Sequence, residues 1–145
     1  MREITTAGIF RTGELFLVAR RRQGGSIGGR WEFPGGKTEE GESPQAALAR
    51  EIHEEFGAEI SAGALLASAD FSNNGADYRV MAFEAVLKTP LRVLEHEEVR
   101  WLPFEEIAAL ELAGSDRLLY ETLRKEGFPA NTAADGAAVF PRRED

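Results

Sequence analysis

The chain has 145 residues, 43% of them hydrophobic, and sets 17 lysines and arginines against 25 aspartates and glutamates for a formal net charge of −8. That length suits one globular domain with one core, and the acidic balance excludes binding of long nucleic acid through many phosphate contacts. The lack of cysteine removes disulfides, thiolate metal sites and cysteine nucleophiles together.

The N-terminus shows no apolar signal-peptide core and no run reaches membrane-spanning length, so a soluble, cytoplasmic protein with no membrane partner is expected. Stretches at about residues 5–10 and 15–21 read as strands joined by a hairpin at Thr12-Gly13-Glu14. Arg20, Arg21 and Arg22 end the second strand, either as a solubilising edge or as anion contacts. A glycine-rich loop from Gly24 to Gly29 leads into Trp31-Glu32-Phe33-Pro34 and the pair Gly35-Gly36.

A helix follows, readable from its ends. Ser43 is a good N-cap, Pro44 suits the first helical position, and Gly57 suits the left-handed residue that stops it. Leu48, Ile52 and Phe56 form one apolar stripe at about 100° per residue. Beyond it, strands are expected near residues 58–71, 78–87 and 99–102, with a turn at Asn73-Asn74-Gly75, and helices at about residues 103–110 and 116–126. From Phe128 onward, two prolines and an Ala/Asp/Gly-rich stretch predict a flexible arm over about residues 129–145, after a single domain of about residues 1–128. Periodicity alone yields a mixed α/β domain.

The helix carries an electrostatic oddity. Glu51 lies three and four residues before Glu54 and Glu55, so like charges face one another, each pair costing an isolated helix roughly 0.2–0.5 kcal/mol. With Leu48 at zero, Glu55 falls at about 340°, Glu51 at about 300° and Glu54 at about 240°, so Glu55 abuts the buried stripe. His53, at about 140°, faces away and reads as solvent-exposed. Arg50 stands four residues before Glu54 and can pair with it. Hard divalent cations bind oxygen ligands and would turn this repulsion into coordination; the plain alternative is an acidic surface helix.

Spacing separates the two readings. Gly36, five residues, Glu42, seven residues, then Arg50-Glu51-Ile52-His53-Glu54-Glu55-Phe56-Gly57-Ala58 resembles the Nudix box, G-x5-E-x7-R-E-U-x-E-E-x-G-U with U bulky and apolar; only the small Ala58 departs from it. The lead-in Trp31 to Lys37 resembles the MutT type within that family, and a weaker likeness runs over about residues 5–123. This resemblance implies an α/β/α sandwich with a mixed sheet and the box on a loop-helix-loop. It implies hydrolysis of a nucleoside triphosphate to a monophosphate and pyrophosphate, with Mg²⁺, or Mn²⁺, as cofactor and a small nucleotide as partner.

Carried over residue by residue, the resemblance makes Glu51, Glu54 and Glu55 metal-binding carboxylates, Gly35 a carbonyl ligand and Arg50 their brace. Glu95, six residues before Trp101, matches a loop glutamate that joins the metal and is a candidate general base; Glu98 is the second choice. His96 beside it is either a bystander or catalytic. Arg21 matches a phosphate or sugar contact, and Phe33 and Phe71 would line the base pocket. Lys37 is a phosphate contact or a solvated loop lysine. Asp116 matches an asparagine that reads the oxidised guanine in the MutT enzyme. As an ionised aspartate it would only accept hydrogen bonds and so favour bases presenting donors, such as cytosine; its alternative is an N-cap of the last helix. Rival readings are hydrolysis of another diphosphate linkage, as in ADP-ribose or a dinucleoside polyphosphate, and a Nudix module that binds nucleotides without cleaving them. The sequence leaves the oligomeric state open.

Overall fold

Strands β1 (Glu3–Thr12), β2 (Leu15–Arg21) and the short β3 (Trp31–Glu32) precede helix α1 (Pro44–Phe56); β4 (Ile60–Asn73), β5 (Ala76–Leu87) and β6 (His96–Pro103) lead through a 3-10 helix (Phe104–Ala109) into α2 (Gly114–Lys125). The structure, a computed structural model, describes residues 2–25 and 28–129. The arm expected near the C-terminus lies, from residue 130, outside the described residues.

The sheet is mixed. β1 runs parallel to β5 from Glu3↔Tyr78 to Phe10↔Ala85, β5 pairs antiparallel with β4, and β2 pairs antiparallel with β1, β3 and β6. Both tight turns are where local chemistry favours them. Gly13 (φ 61°) closes the β1–β2 hairpin, and Asn74 (φ 53°) with Gly75 (φ 80°) closes β4–β5, an Asn-Gly pair suited to a turn with two positive φ angles.

Alternation along β2 shows how the layers assemble. Phe16 and Val18 join Leu119, Tyr120 and Leu123 of α2 in one core, whereas Leu17 and Ala19 join Leu48, Ile52 and Phe56 of α1 in the other. Successive strand residues point to opposite faces, so the sheet is buried on both sides and the fold is the expected α/β/α sandwich. Among the described residues no helix is long and apolar enough to cross a membrane.

Helix α1 ends as its sequence dictates. The Ser43 side chain accepts from the Ala46 amide at 3.1 Å, Pro44 is the first helical residue, and Gly57 adopts φ 62°. Downstream the expectations need two corrections. The segment expected to be a helix over residues 103–110 is a 3-10 turn, because Phe104 and Ile107, three apart and both buried, share one face in that geometry. The strand expected near residue 99 starts earlier, at His96, because β2 supplies a partner as far as Arg21. That longer pairing carries His96 into the sheet.

The segment 34–36 lies directly on β1. The Gly8 and Thr6 amides donate to the Pro34 and Gly36 carbonyls at 2.7 Å each, and a Cβ on Gly35 would stand 2.0 Å from the Thr6 carbonyl oxygen. Backbone, not a flexible side chain, blocks that position. Gly35→Ala is therefore expected to destabilise the fold by about 1–3 kcal/mol; an unchanged urea midpoint would contradict this close approach.

Candidate active site

Arg50 is the mechanical centre of the acidic helix. Its Nε and Nη2 donate to both oxygens of Glu42 at 2.7 and 3.0 Å, its Nη1 reaches Glu51 at 3.1 Å and Glu54 at 3.4 Å, and Nη2 also donates to the Lys37 carbonyl at 3.0 Å. The Glu54 contact expected from helical spacing is present, but the tightest partner is Glu42, from the turn before the helix. The paired guanidinium holds Glu42 below the usual carboxylate range, and Glu42 in turn keeps Arg50 charged. Such a planar fork fixes direction as well as charge.

The three helix glutamates differ in exposure. Glu54 is half exposed at 52%, whereas the Glu51 and Glu55 side chains are each 17% exposed. The helical wheel anticipates Glu55; Glu51 is covered from outside the helix. A Cβ on Gly36 would stand 2.3 Å from the Glu51 carboxyl carbon, so the double glycine admits both β1 and the Glu51 side chain. Pro34 and Gly36 aim their carbonyls at β1, accepting from the Gly8 and Thr6 amides.

Tertiary contacts deliver the fourth carboxylate. The Arg92 amide donates to the Phe56 carbonyl at 2.8 Å and the Leu94 amide to the Glu55 carbonyl at 3.3 Å, tying the loop before β6 to the last turn of α1. Glu95 thereby comes within electrostatic reach of Glu55. Glu98 contacts Arg20 at 3.6 Å and Arg100 at 3.0 Å. His53 is exposed, as its wheel position predicts, 3.5 Å from Glu59.

Glu55 records the crowding. Burial, then the charge of Glu32, the hydrogen bond that its protonated form donates to Glu51 and the charges of Glu51 and Glu95, push its carboxyl up to about 9. Its Oε1 is buried and accepts no hydrogen bond. An oxygen-rich donor set with an unsatisfied buried oxygen fits a hard divalent cation.

Beside this cluster opens a cavity of about 650 Å³ whose wall includes Arg21, Phe33, Gly35, Lys37, Phe71 and Asp116. All five candidate substrate-binding residues thus meet in one space with Gly35. Phe71 stacks on Tyr78 at 5.1 Å, and the Lys37 ammonium lies 5.4 Å from the Tyr78 ring centre. Arg21 reaches Glu32 Oε1 at 3.3 Å.

Asp116 lines the cavity but is not the N-cap of α2. Ala113 occupies the N-cap position of α2, leaving Asp116 in the first turn, buried, with its Oδ1 accepting from the Phe33 amide at 2.9 Å. Trp31 brings it there, donating its amide to the Glu111 carbonyl and accepting from the Ala113 amide. Burial first, then the charge of Glu32, push the Asp116 carboxyl up to about 8, against the Phe33 amide, Ser115 and Arg21. Near neutral pH it is therefore largely a carboxylic acid, able to donate as well as accept.

Glu32, to which the sequence assigned no role, joins the site, and so does His96, which the sequence left as a bystander or a catalytic residue. Glu32 lines the cavity and presents Oε2 to His96 Nε2 at 2.7 Å, while His96 Nε2 lies 4.0 Å from Glu55 Oε1. A bulge places His96 there. The β2–β6 register steps one for one from Leu15↔Pro103 to Arg20↔Glu98, then skips Glu97 to pair Arg21 with His96. Skipping one residue turns the next to the other face, which no local pattern announces.

Comparison with known proteins bears on the family and the fold. A family model described as the NUDIX domain matches residues 2–123. The chain is 34% identical over 123 residues to a protein of Mycobacterium tuberculosis named putative 8-oxo-dGTP diphosphatase 2, covering 81% of this chain and 84% of the relative. It is 35% identical over 122 residues to the CTP pyrophosphohydrolase of Escherichia coli, covering 83% and 90%. Among solved structures, that of the E. coli ORF135 protein superposes with a TM-score of 0.79 at 31% identity, covering 90% of this chain and 96% of that one.

A carboxyl whose folded value is raised, as in Asp116, stabilises the fold fully below the unfolded carboxylate range, and that contribution is lost as pH rises toward the folded value. Without cation or nucleotide, the melting temperature should fall between about pH 5 and pH 8, and by about 4–8 °C less in Asp116→Asn. Parallel melting curves of the two proteins across that range would refute a protonated Asp116.

Proposed function

The chain belongs to the NUDIX family, and from that premise we propose that it hydrolyses a nucleoside triphosphate to the monophosphate and pyrophosphate, with Mg²⁺, or Mn²⁺, as cofactor. The observation carrying this reading is adjacency. Glu32, in the cavity wall, acts electrostatically on both Glu55 of the carboxylate cluster and Asp116 of the pocket, so a nucleotide in the cavity has its phosphates beside the cluster.

Glu51, Glu54, Glu55 and Glu95, with the Gly35 carbonyl, would hold the cation, and Arg50 braces Glu51 and Glu54 through the contacts described above. When bound, the cation offsets phosphate charge and acidifies water. Glu95, exposed on its loop, takes the proton of the attacking water, a role worth about 10²–10⁴-fold. Glu98, held by two arginines, is the second candidate. Arg21 and Lys37 contact phosphate or sugar, and Phe33 and Phe71 flank the base. Attack falls on the phosphorus next to the nucleoside-bearing one. A protonated Asp116 offers a donor beside its acceptor, so it suits the cytosine edge and an oxidised guanine alike; the names of the two relatives differ in the same way.

Hydrolysis in ¹⁸O-water should place the label in pyrophosphate, and label in the monophosphate would move the attacked phosphorus. EDTA should abolish turnover and Mg²⁺ restore it. Glu54→Gln, at a half-exposed position, should lower kcat by about 10²–10⁴-fold while leaving the fold intact; full activity would remove Glu54 from the site. Across a panel of nucleoside triphosphates, ADP-ribose and dinucleoside polyphosphates, pyrophosphate release should be fastest from (d)CTP or 8-oxo-dGTP. Preferred cleavage of another diphosphate would reassign the substrate, and binding without turnover would make the chain a nucleotide-binding module.

A further inference from the structure

His96 is buried, its side chain 4% exposed, yet nothing in the proposed reaction uses it. Its ring lies flat on Phe56, centres 4.9 Å apart and planes at 14°, so the direction of Nε2 is fixed by packing. That nitrogen meets Glu32 Oε2 at 2.7 Å while Arg21 takes the other oxygen at 3.3 Å. A carboxylate facing an arginine is an acceptor only, so His96 Nε2 carries the hydrogen and donates. The same nitrogen is 4.0 Å from Glu55 Oε1, the buried oxygen that accepts no hydrogen bond. One N–H therefore stands between the Glu32 carboxylate in the cavity wall and the carboxyl group of Glu55 on the acidic helix.

We propose that His96 is a positioning residue for the hydrolysis, acting through Glu32: with Arg21 it clamps that carboxylate between the cavity and Glu55 and so keeps the cation cluster in register with the phosphates. The proposal rests on the triphosphate reading above. Without the Nε2 donor, Glu32 keeps one partner on an exposed arginine and is free to rotate toward Glu55, whose neighbours already include Glu51 and Glu95. A misplacement of about 1 Å at a reacting centre can cost about 10²-fold in rate. The link ends on a carboxylate of the cation cluster and not on the base, so the loss falls on kcat.

His96→Phe keeps a flat ring against Phe56 and removes the donor; His96→Gln restores a donor at a similar reach. With pyrophosphate release measured at saturating Mg²⁺, His96→Phe should lose about 10–100-fold in kcat with KM within about threefold, and His96→Gln should recover most of it. In a Glu32→Gln background the His96→Phe change should add less than about threefold, since residues acting through one link are non-additive. Wild-type kcat in His96→Phe, or multiplicative losses in the double variant, would overturn the proposal. Should His96→Phe fail to fold, the ring ¹⁵N shifts of His96 in the intact protein decide: a protonated Nε2 that moves on Glu32→Gln supports it, and an unprotonated Nε2 overturns it. If the wild type releases no pyrophosphate from any triphosphate, the proposed function fails, while the ¹⁵N measurement still reports on the His96–Glu32 pair.

Discussion

Carboxylates are packed here closer than their charges favour, and the rest of the site is arranged around that constraint. Glu55 sits among Glu32, Glu51 and Glu95, and burial first, then the charge of Glu32 and its other acidic neighbours, push its carboxyl up to about 9. Little in the shell relieves it, because Arg50 serves Glu42, Glu51 and Glu54. The fold tolerates the repulsion because neutral packing holds each acid in place: the apolar stripe of α1, the caps at Ser43 and Gly57, and two backbone hydrogen bonds that tie the Glu95 loop to α1. A divalent cation held there would turn this crowding into binding free energy.

The close approach of residues 34–36 to β1 serves both ends of the site. Gly35 and Gly36 leave no room for side chains, one because of the Thr6 carbonyl and the other because of Glu51. That absence lets the backbone form part of the cavity wall and lets Glu51 reach inward from α1. The glycines therefore matter for what they admit, more than for flexibility.

Glu32 links the two halves. After burial, its charge is the next cause that pushes up both Glu55 on one side and Asp116 on the other, so one carboxylate bears on the acidic helix and on the cavity wall alike. A nucleotide is held at its polyphosphate by charge and at its base by hydrogen bonds; a shared neighbour couples these two requirements. The stack of Phe71 on Tyr78 and the amide of Phe33 add groups that carry no charge on the Asp116 side of the cavity.

What the sequence determined by itself is local. Helix α1, its caps, its apolar stripe and the Glu51, Glu54, Glu55 face follow from 3.6-residue periodicity and capping chemistry, and the two tight turns follow from glycine and asparagine at positive φ. The box spacing also identified the family, because fixed residue types at fixed intervals need no coordinates. Tertiary structure decided the partners. Glu42 became the principal mate of Arg50 across eight residues, Glu32 met His96 across sixty-four, and Asp116 bonded the Phe33 amide across eighty-three. A one-residue bulge in the β2–β6 register turned His96 inward, and burial made an acid of Asp116 where its letter suggested an anion. Periodicity carries information over a few residues, whereas desolvation and register are set by whatever the fold packs alongside.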